Sequence, residues 1–351
     1  MKSQVLQPFK QLRRLLVAGG LSLSVLAAAP VTAQTVTLSA SSNIPVHLFH
    51  KVLMVDWAAD VEKVTEGRVK INVLPKPVST YPRAYDAVRD GLADVAYYVH
   101  GAQAGRFGLT QMAELALLGD TSEDISVAYQ RIYERHLAKA NEHQGVKVLA
   151  VNVHGPGAIF NTKRPINSAR DLSGLKLRVG SASVTQLAQK LGAVPLHKSS
   201  SESYELISTG VADGAFFPAE AIATFKLERF IKYGTLIPGG AYNTSFVFIM
   251  NEDAFKKIQK RDQDAIMAIS GEKLSRAAGR AWDAEDRRSK AVMQAAGVQT
   301  TQASPSLIAE IKAASAETEK AWIAHANSRG LDGAKVLAEF REEIRKVAAG
   351  K

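Results

Sequence analysis

The sequence contains no cysteine in its 351 residues. This absence excludes disulfide bonds, a thiol nucleophile, cysteine-ligated metals and a lipid-modified N-terminal cysteine. The phosphate-binding glycine loop and the Gly-x-Ser-x-Gly elbow of serine hydrolases are also missing. His47 and His50 have helical spacing, but no further acidic or histidine ligand follows at the interval of a metal site. We therefore predict neither a metal nor a cofactor, and a fold stabilised by an ordinary hydrophobic core.

Residues 1–33 have the features of a cleaved signal peptide. Basic residues precede an apolar run from Leu15 to Ala29, and Val31-Thr32-Ala33 predicts cleavage after Ala33. The run is shorter than the roughly 20 residues of a membrane span. An uncleaved anchor is the alternative, and Arg13-Arg14 leaves twin-arginine export open. The predicted location is the periplasm.

Positive charge is modest and dispersed. The net charge is +10, and residues 1–33 hold four basic and no acidic residues, so the rest of the chain carries +6. Basic pairs such as Lys256-Lys257 lie among acidic residues, as on a solvated helix face. The sequence shows no concentrated basic surface with interleaved aromatics, so nucleic acid is not a predicted partner.

Strand and helix patterns alternate, and a β-α-β-α-β order occurs twice. Tyr85-Asp86 with the segment 91–98 matches Tyr204-Glu205 with the segment 210–217, at a constant offset of 119 positions. Common helix-ending glycines and strand-preceding aspartates are an alternative explanation. The shared order favours a duplication. We therefore predict an α/β, bilobed binding-protein fold, with two similar βαβαβ lobes and a cleft between them.

The same patterns place the domain boundaries. Lobe I is predicted over 34–153 with part of roughly 244–300, and lobe II over 154–243. A long helix over 253–296 is expected to back both lobes. Two further helices, near 305–327 and 334–348, are expected to pack across both lobes.

Ligands of open parallel sheets bind beyond the C-terminal ends of the strands. This rule, with the polar residues before the late strand, selects candidate ligand-binding residues: Ser41, Asn43, Tyr98, His100, Arg178, Ser181, Phe217, Tyr242 and Asn243. Adjacent strand residues face opposite ways, so at most one ring of each aromatic pair (97–98 and 216–217) faces the ligand. A core position is the alternative for every ring.

Arg178 is the most informative of these candidates. It ends a strand directly before the serine-rich start of a helix. A guanidinium fork beside free backbone N–H groups is well suited to bind a carboxylate. The alternative is a solvent-facing basic pair, Lys176 and Arg178, on an edge strand.

Three segments carry a resemblance to a known family: Lys163-Arg164-Pro165-Ile166, then Asp171-Leu172-x-Gly174-Leu175-Lys176-Leu177-Arg178-Val179, then Val211-Ala212-Asp213-Gly214 with Pro218. In these segments the chain resembles the DctP-type solute-binding proteins of tripartite ATP-independent periplasmic (TRAP) transporters, and the resemblance covers essentially all of 34–351. It implies a receptor that closes over a small organic acid and pairs its carboxylate with Arg178. It also implies transient delivery to the small and large membrane subunits of an ion-gradient-driven permease.

Two departures from the family bear on the ligand. A second arginine that some members carry corresponds to Ala158, and a late asparagine has only Tyr242 and Asn243 as nearby polar candidates. The resemblance therefore does not imply a doubly charged ligand, and a monocarboxylate is expected. Two other functions remain alternatives: a binding protein of an ATP-driven importer, and a periplasmic enzyme. The sequence offers no nucleophile or general base for the enzyme, so we predict a binding protein.

Overall fold

A computed structural model describes residues 35–44, 50–103 and 105–351. The predicted signal peptide lies outside the described residues. The strands are β1 (Val36–Ser42), β2 (Val69–Val73), β3 (Val95–Val99), β4 (Val146–Val153), β5 (Ala158–Asn161), β6 (Lys176–Val179), β7 (Val194–His197), β8 (Gly214–Phe217), β9 (Tyr233–Leu236), β10 (Ser245–Asn251) and β11 (Gln299–Gln302). The α-helices are α1 (Trp57–Val64), α2 (Ala84–Arg89), α3 (Ser122–Ile132), α4 (Ala182–Lys190), α5 (Ser203–Ser208), α6 (Glu220–Thr224), α7 (Glu252–Lys257), α8 (Lys260–Ala268), α9 (Gly271–Ala295), α10 (Pro305–Ser328) and α11 (Gly333–Ala348).

The strands form two sheets, one for each predicted lobe. Lobe I has the order β2-β1-β3-β10-β4, and lobe II has the order β11-β9-β5-β8-β6-β7. Each sheet contains three parallel strands from one βαβαβ unit, followed by an antiparallel strand. Ser41 lies opposite Ala96, and Arg178 lies opposite Ala215, which is 119 positions after Ala96. The predicted duplication is therefore confirmed, and Ser41 and Arg178 occupy equivalent positions.

Two chain segments cross between the sheets. One joins β4 to β5, and the other joins β9 to β10. They are hydrogen-bonded to each other: Gly157 donates its N–H to the Tyr242 carbonyl (3.0 Å), and Ala241 donates to the Gly157 carbonyl (2.8 Å). A Cβ on Gly155 would lie 1.9 Å from Asp286 Oδ2, so this crossing requires a residue without a side chain. The two crossings are the hinge segments of the fold.

Two helices link the lobes along their backs. Leu274 and Trp282 of α9 pack in a lobe I core, whereas Met293 packs with Phe217 in a lobe II core. Ile311 of α10 lies in the other lobe II core, and Trp322 lies in lobe I, where its Nε1–H donates to the Leu109 carbonyl (3.0 Å). The buried face of α11 lies only in the lobe I core. The expectation of helices packing across both lobes thus holds for α10 and is wrong for α11.

The segment predicted as one helix over 253–296 consists of three. The chain is extended at Ile258, whose side chain is buried in the lobe I core, and at Gln259. A second break comes at Ser270 and Gly271, where Gly271 has φ +56°. In one straight helix on the surface, the side chain of Ile258 would not point into the core. The helix is therefore interrupted at this residue. Of these three helices, α9 over 271–295 is the one that reaches both lobes.

Of the lobe II strands, β5, β9 and β11 were not predicted. β5 is buried along its whole length and β11 is exposed along its whole length, so neither shows the alternation of a half-buried strand. Within the described ranges, no helix is long and apolar enough to span a membrane.

Candidate functional site

Arg178 is buried at the C-terminal end of β6, with 6% of its surface exposed. Its Nε–H donates to the Lys198 carbonyl (2.9 Å), and its guanidinium carbon lies 4.4 Å from the centre of the Phe217 ring. The terminal nitrogens pack over Gly180, where a Cβ would lie 3.0 Å from Nη2. Since β6 lies between β8 and β7, the edge-strand alternative is wrong.

In the described chain the Arg178 guanidinium is not paired with a carboxylate, although the negative charge of Glu202 acts on its pKa. No salt bridge joins it to a carboxylate in the parts of the chain that the structure describes. Burial lowers its pKa to about 10, which still leaves it charged at neutral pH. A buried cation normally requires a paired anion. The two terminal NH2 groups are therefore suited to a bidentate carboxylate from outside the chain.

Two tyrosine hydroxyls lie in the electrostatic field of Arg178. Burial raises the pKa of Tyr242, and the positive charge of Arg178 lowers it. The same two effects act on the pKa of Tyr81, which follows β2 in lobe I. The Tyr81 side chain is 39% exposed as a whole, but its hydroxyl is at the desolvated end. Groups from both lobes thus converge on Arg178.

Ser41 and Asn43 hold the loop that carries Tyr81. Ser41 Oγ accepts the Val78 N–H (3.1 Å), and Asn43 Nδ2 donates to the Ser79 carbonyl (2.6 Å). The structure therefore places both residues beneath the Tyr81 loop, where they fix its path through hydrogen bonds within the chain.

Glu114 is a buried carboxylate between the lobes. Its Oε1 accepts the Ser245 N–H from β10 (3.2 Å), and its Oε2 accepts the hydroxyl of Ser183 from α4 (3.1 Å). Burial raises its pKa to about 7, although both hydrogen bonds oppose the shift. Its negative charge also raises the pKa values of Tyr81 and Tyr242, the two tyrosines on which the charge of Arg178 acts.

Ser181 lies where the lobes touch. Its Oγ caps α4 by accepting the Val184 N–H (3.4 Å), and it shares a hydrogen bond with the Ser183 hydroxyl (2.9 Å). A Cβ on Gly101 of lobe I would lie 3.8 Å from both the Ser181 Cβ and Glu114 Oε1. Ser181 thus caps α4 where the two lobes are in contact. It lies two residues before Ser183, the hydrogen-bond partner of Glu114, and three residues after Arg178.

Tyr98 and His100 lie in the interior of lobe I. The Tyr98 ring packs among core residues, with its centre 6.1 Å from that of Phe107. His100 shares hydrogen bonds with Ser245 Oγ (2.8 Å) and His143 Nε2 (2.9 Å), and burial lowers its pKa well below the usual value. Neither contacts Arg178 among the residues that the structure describes. Their expected place in the ligand pocket is not supported by these contacts.

Asn243 braces the hinge segments. Its side chain is fully buried, and with the amide turned so that its nitrogen faces the carbonyl oxygens of His154 and Gly155, it donates to both at 3.2 Å. The imidazole of His154 is bonded to Thr244 Oγ1 (2.9 Å), and burial lowers its pKa to about 4, so it is neutral. These bonds hold one crossing segment to the other.

Of the candidates selected from the sequence, the structure brings Phe217 and Tyr242 near Arg178; it adds Tyr81 and Glu114, which the sequence did not suggest. Tyr81 lies in the segment that follows β2, to which the strand-end rule was not applied. Glu114 ends a 3₁₀ helix, Leu109–Glu114, in which five of the six residues are buried, so no periodicity marks a buried side. No sequence signal distinguishes it from a surface acid. Across the described ranges, no group of three acidic or histidine side chains forms a metal site.

Solved structures resemble this chain over most of its length. A TRAP periplasmic solute-binding protein from Bordetella bronchiseptica, with bound (R)- and (S)-mandelate, is 41% identical with a TM-score of 0.85, covering 89% of this chain and 99% of that one. A marine metagenome TRAP solute-binding protein specific for aromatic acid ligands, in complex with metahydroxyphenylacetate, is 31% identical with a TM-score of 0.81 and the same coverage.

Sequence comparison likewise finds similarity over most of the chain. A Comamonas testosteroni protein named outer membrane transporter protein TsaT is 31% identical over 325 residues, which cover 91% of this chain and 96% of that protein. The model of the DctP family, bacterial extracellular solute-binding protein family 7, matches residues 40–325. This match spans both lobes, both hinge segments and Arg178, and the chain therefore belongs to that family of solute-binding proteins.

Proposed function

We propose that this protein is a TRAP-type receptor that binds an aromatic monocarboxylate between its lobes, with Arg178 as the anchor. One observation carries the proposal above the others. A buried guanidinium lies at the meeting point of the two lobes without an acidic partner from the described chain. A ligand carboxylate supplies the missing charge and two hydrogen-bond acceptors.

The side chains around Arg178 favour an aromatic acid. Phe217 lies under the guanidinium at 4.4 Å, and Tyr81 and Tyr242 bring further rings from lobe I and from a hinge segment. Aromatic walls bind a flat apolar ring and cost little conformational entropy. Mandelate and metahydroxyphenylacetate, bound by the two related structures, are both aromatic monocarboxylates.

Closure of the lobes on the hinge segments would complete the site. Lobe I (34–153 with the late strand) carries Tyr81 and Glu114, whereas lobe II (154–243) carries Arg178 and Phe217. Bringing them together removes water from the ion pair, which strengthens the electrostatic attraction. We expect the ligand to favour the closed form because only that form contacts it from both sides.

The proposed role is delivery without chemical change. The closed receptor would dock transiently on the small and large membrane subunits of a TRAP permease, with uptake driven by an ion gradient. In proteoliposomes that contain those subunits, uptake of labelled ligand should require this protein and the ion gradient, and should not require ATP. Chemical analysis of the ligand recovered from the protein should find it unaltered. A new product would show an enzyme instead.

The proposed location is the periplasm, after cleavage behind Ala33. N-terminal sequencing of the protein from a periplasmic extract should begin at Gln34. A start at Met1 in a membrane fraction would show an uncleaved anchor.

The binding proposal is tested by thermal unfolding of residues 34–351 with candidate ligands. A ligand at 1,000 times its Kd stabilises the native state by about 4.1 kcal/mol. We expect a rise in Tm with mandelate or 3-hydroxyphenylacetate, and none with glucose or succinate. A shift with glucose alone would contradict the proposed ligand class.

A further inference from the structure

Glu114 is positioned to act on the charge of the ligand. Only 7% of its surface is exposed, and its carboxylate reaches from lobe I to the Ser183 hydroxyl at the start of α4 in lobe II. Arg178 ends the strand that leads into the same helix. Glu114 of lobe I thus contacts the lobe II helix that directly follows the strand of Arg178.

No cation neutralises the Glu114 carboxylate. Its hydrogen bonds come from the Ser245 N–H and the Ser183 hydroxyl, both uncharged, and no salt bridge reaches it within the described ranges. Tyr81 and Tyr242 each lie in the combined field of Arg178 and Glu114. Arg178 and Glu114 therefore act on the same two tyrosines with opposite charges, and both are largely shielded from solvent.

This pair of charges treats monoanions and dianions differently. A monocarboxylate neutralises Arg178 and adds no second charge. A dicarboxylate brings a second negative charge into the cleft, where it meets the negative charge of Glu114. At an effective dielectric constant near 20, two like charges about 8 Å apart repel by more than the roughly 1.4 kcal/mol that corresponds to tenfold in Kd.

We propose that Glu114 is a specificity-determining residue that excludes dianionic ligands from the cleft. The inference rests on the proposed carboxylate-binding function and adds a residue that sets the accepted charge. It requires Glu114 to act through its charge and not merely as a hydrogen-bond link between the lobes.

The test compares ligands of one shape and different charge. In 3-nitrobenzoate and isophthalate, a neutral nitro group and a second carboxylate occupy the same ring position. We would measure both Kd values by calorimetry or competition at pH 8.5, where Glu114 is ionised. The wild-type protein should bind 3-nitrobenzoate more tightly, and in Glu114→Gln the ratio of the isophthalate Kd to the 3-nitrobenzoate Kd should fall at least tenfold.

A matched variant separates charge from hydrogen bonding. Ser183→Ala removes the hydroxyl that bonds Glu114 Oε2 and leaves the carboxylate in place. It should retain the wild-type Kd ratio. An equal fall of the ratio in Ser183→Ala would overturn the inference, because the hydrogen bond would then be responsible.

The remaining outcomes are also decisive. Glu114→Met is an uncharged second variant of similar length, for use if Glu114→Gln does not fold. A ratio within threefold of the wild-type value in the folded variant would overturn the role of Glu114 and leave the receptor function intact. If the wild-type protein bound neither these acids nor any other monocarboxylate, the proposed function itself would be wrong.

Discussion

Replacement of Arg178 by alanine tests the anchor most directly. The guanidinium uses its Nε–H within the chain, on the Lys198 carbonyl, so its two terminal NH2 groups are left for a ligand. Removing one partner of a buried, hydrogen-bonded charge pair costs about 2–5 kcal/mol. At about 1.4 kcal/mol for each factor of ten, Arg178→Ala should raise the Kd about 30-fold to several thousand-fold.

A conservative substitution of Arg178 should weaken binding less than the change to alanine does. Arg178→Lys retains a positive charge but loses the Nε–H bond to Lys198 and the planar contact with Phe217. Lysine does not reproduce the fork, so we expect an intermediate loss of about tenfold or more in Kd.

The assay is titration calorimetry of the purified variants with (R)-mandelate or 3-hydroxyphenylacetate. Lys176→Ala is the matched control, since Lys176 lies two residues earlier on β6 with an exposed side chain. It should bind as the wild type does. Thermal unfolding without ligand must show that Arg178→Ala is folded. A folded Arg178→Ala protein that binds within threefold of the wild type would refute the assignment of the anchor.

Three further changes test the aromatic support, the hinge and the buried acids. Phe217→Leu removes the ring under the guanidinium and should weaken ligand binding about 2- to 30-fold by calorimetry, because such a cation–π contact contributes about 0.5–2 kcal/mol. Gly155→Ala places a Cβ 1.9 Å from Asp286 Oδ2 and should lower the free energy of unfolding, measured by urea denaturation, by about 1–3 kcal/mol. An unchanged midpoint of urea unfolding would contradict this prediction. Burial raises the pKa of Glu220 to about 8 from its usual 4.5, so the unfolded chain loses this proton first and stability falls as pH rises from about 4.5 to 8. Glu220→Gln should reduce the loss in unfolding free energy between pH 5 and pH 8, and an equal loss in both proteins would show that Glu220 is not its source.

Local sequence patterns determined the repeated architecture. Strand alternation, helix-ending glycines and the offset of 119 positions depend on residues close together in the chain. They predicted the βαβαβ units and the helices near 305–327 and 334–348, which the structure confirms as α10 and α11. The position of Arg178 at the C-terminal end of a strand followed from the same patterns. In a parallel sheet, ligands bind beyond that end of the strands, so the position also indicated a binding site.

The partners of these residues depended on the tertiary structure. Both faces of β3 are buried, so the sequence pattern alone did not show which ring lies on which side. Tyr98 packs beside Phe107 on one face, whereas Tyr97 stacks on Phe246 of the neighbouring strand β10. The breaks at Ile258 and Ser270 likewise depend on a core assembled from distant segments.

Glu114 shows the difference most clearly. Its partners Ser183 and Ser245 are 69 and 131 positions away, and the 3₁₀ helix that carries it has no alternation of buried and exposed residues. Sequence determined that one strand-end arginine is available for a carboxylate, since that depends on local order. Only the tertiary structure decided which rings lie beside that arginine and which distant serines bind Glu114, because this depends on how two lobes and two hinge segments pack together.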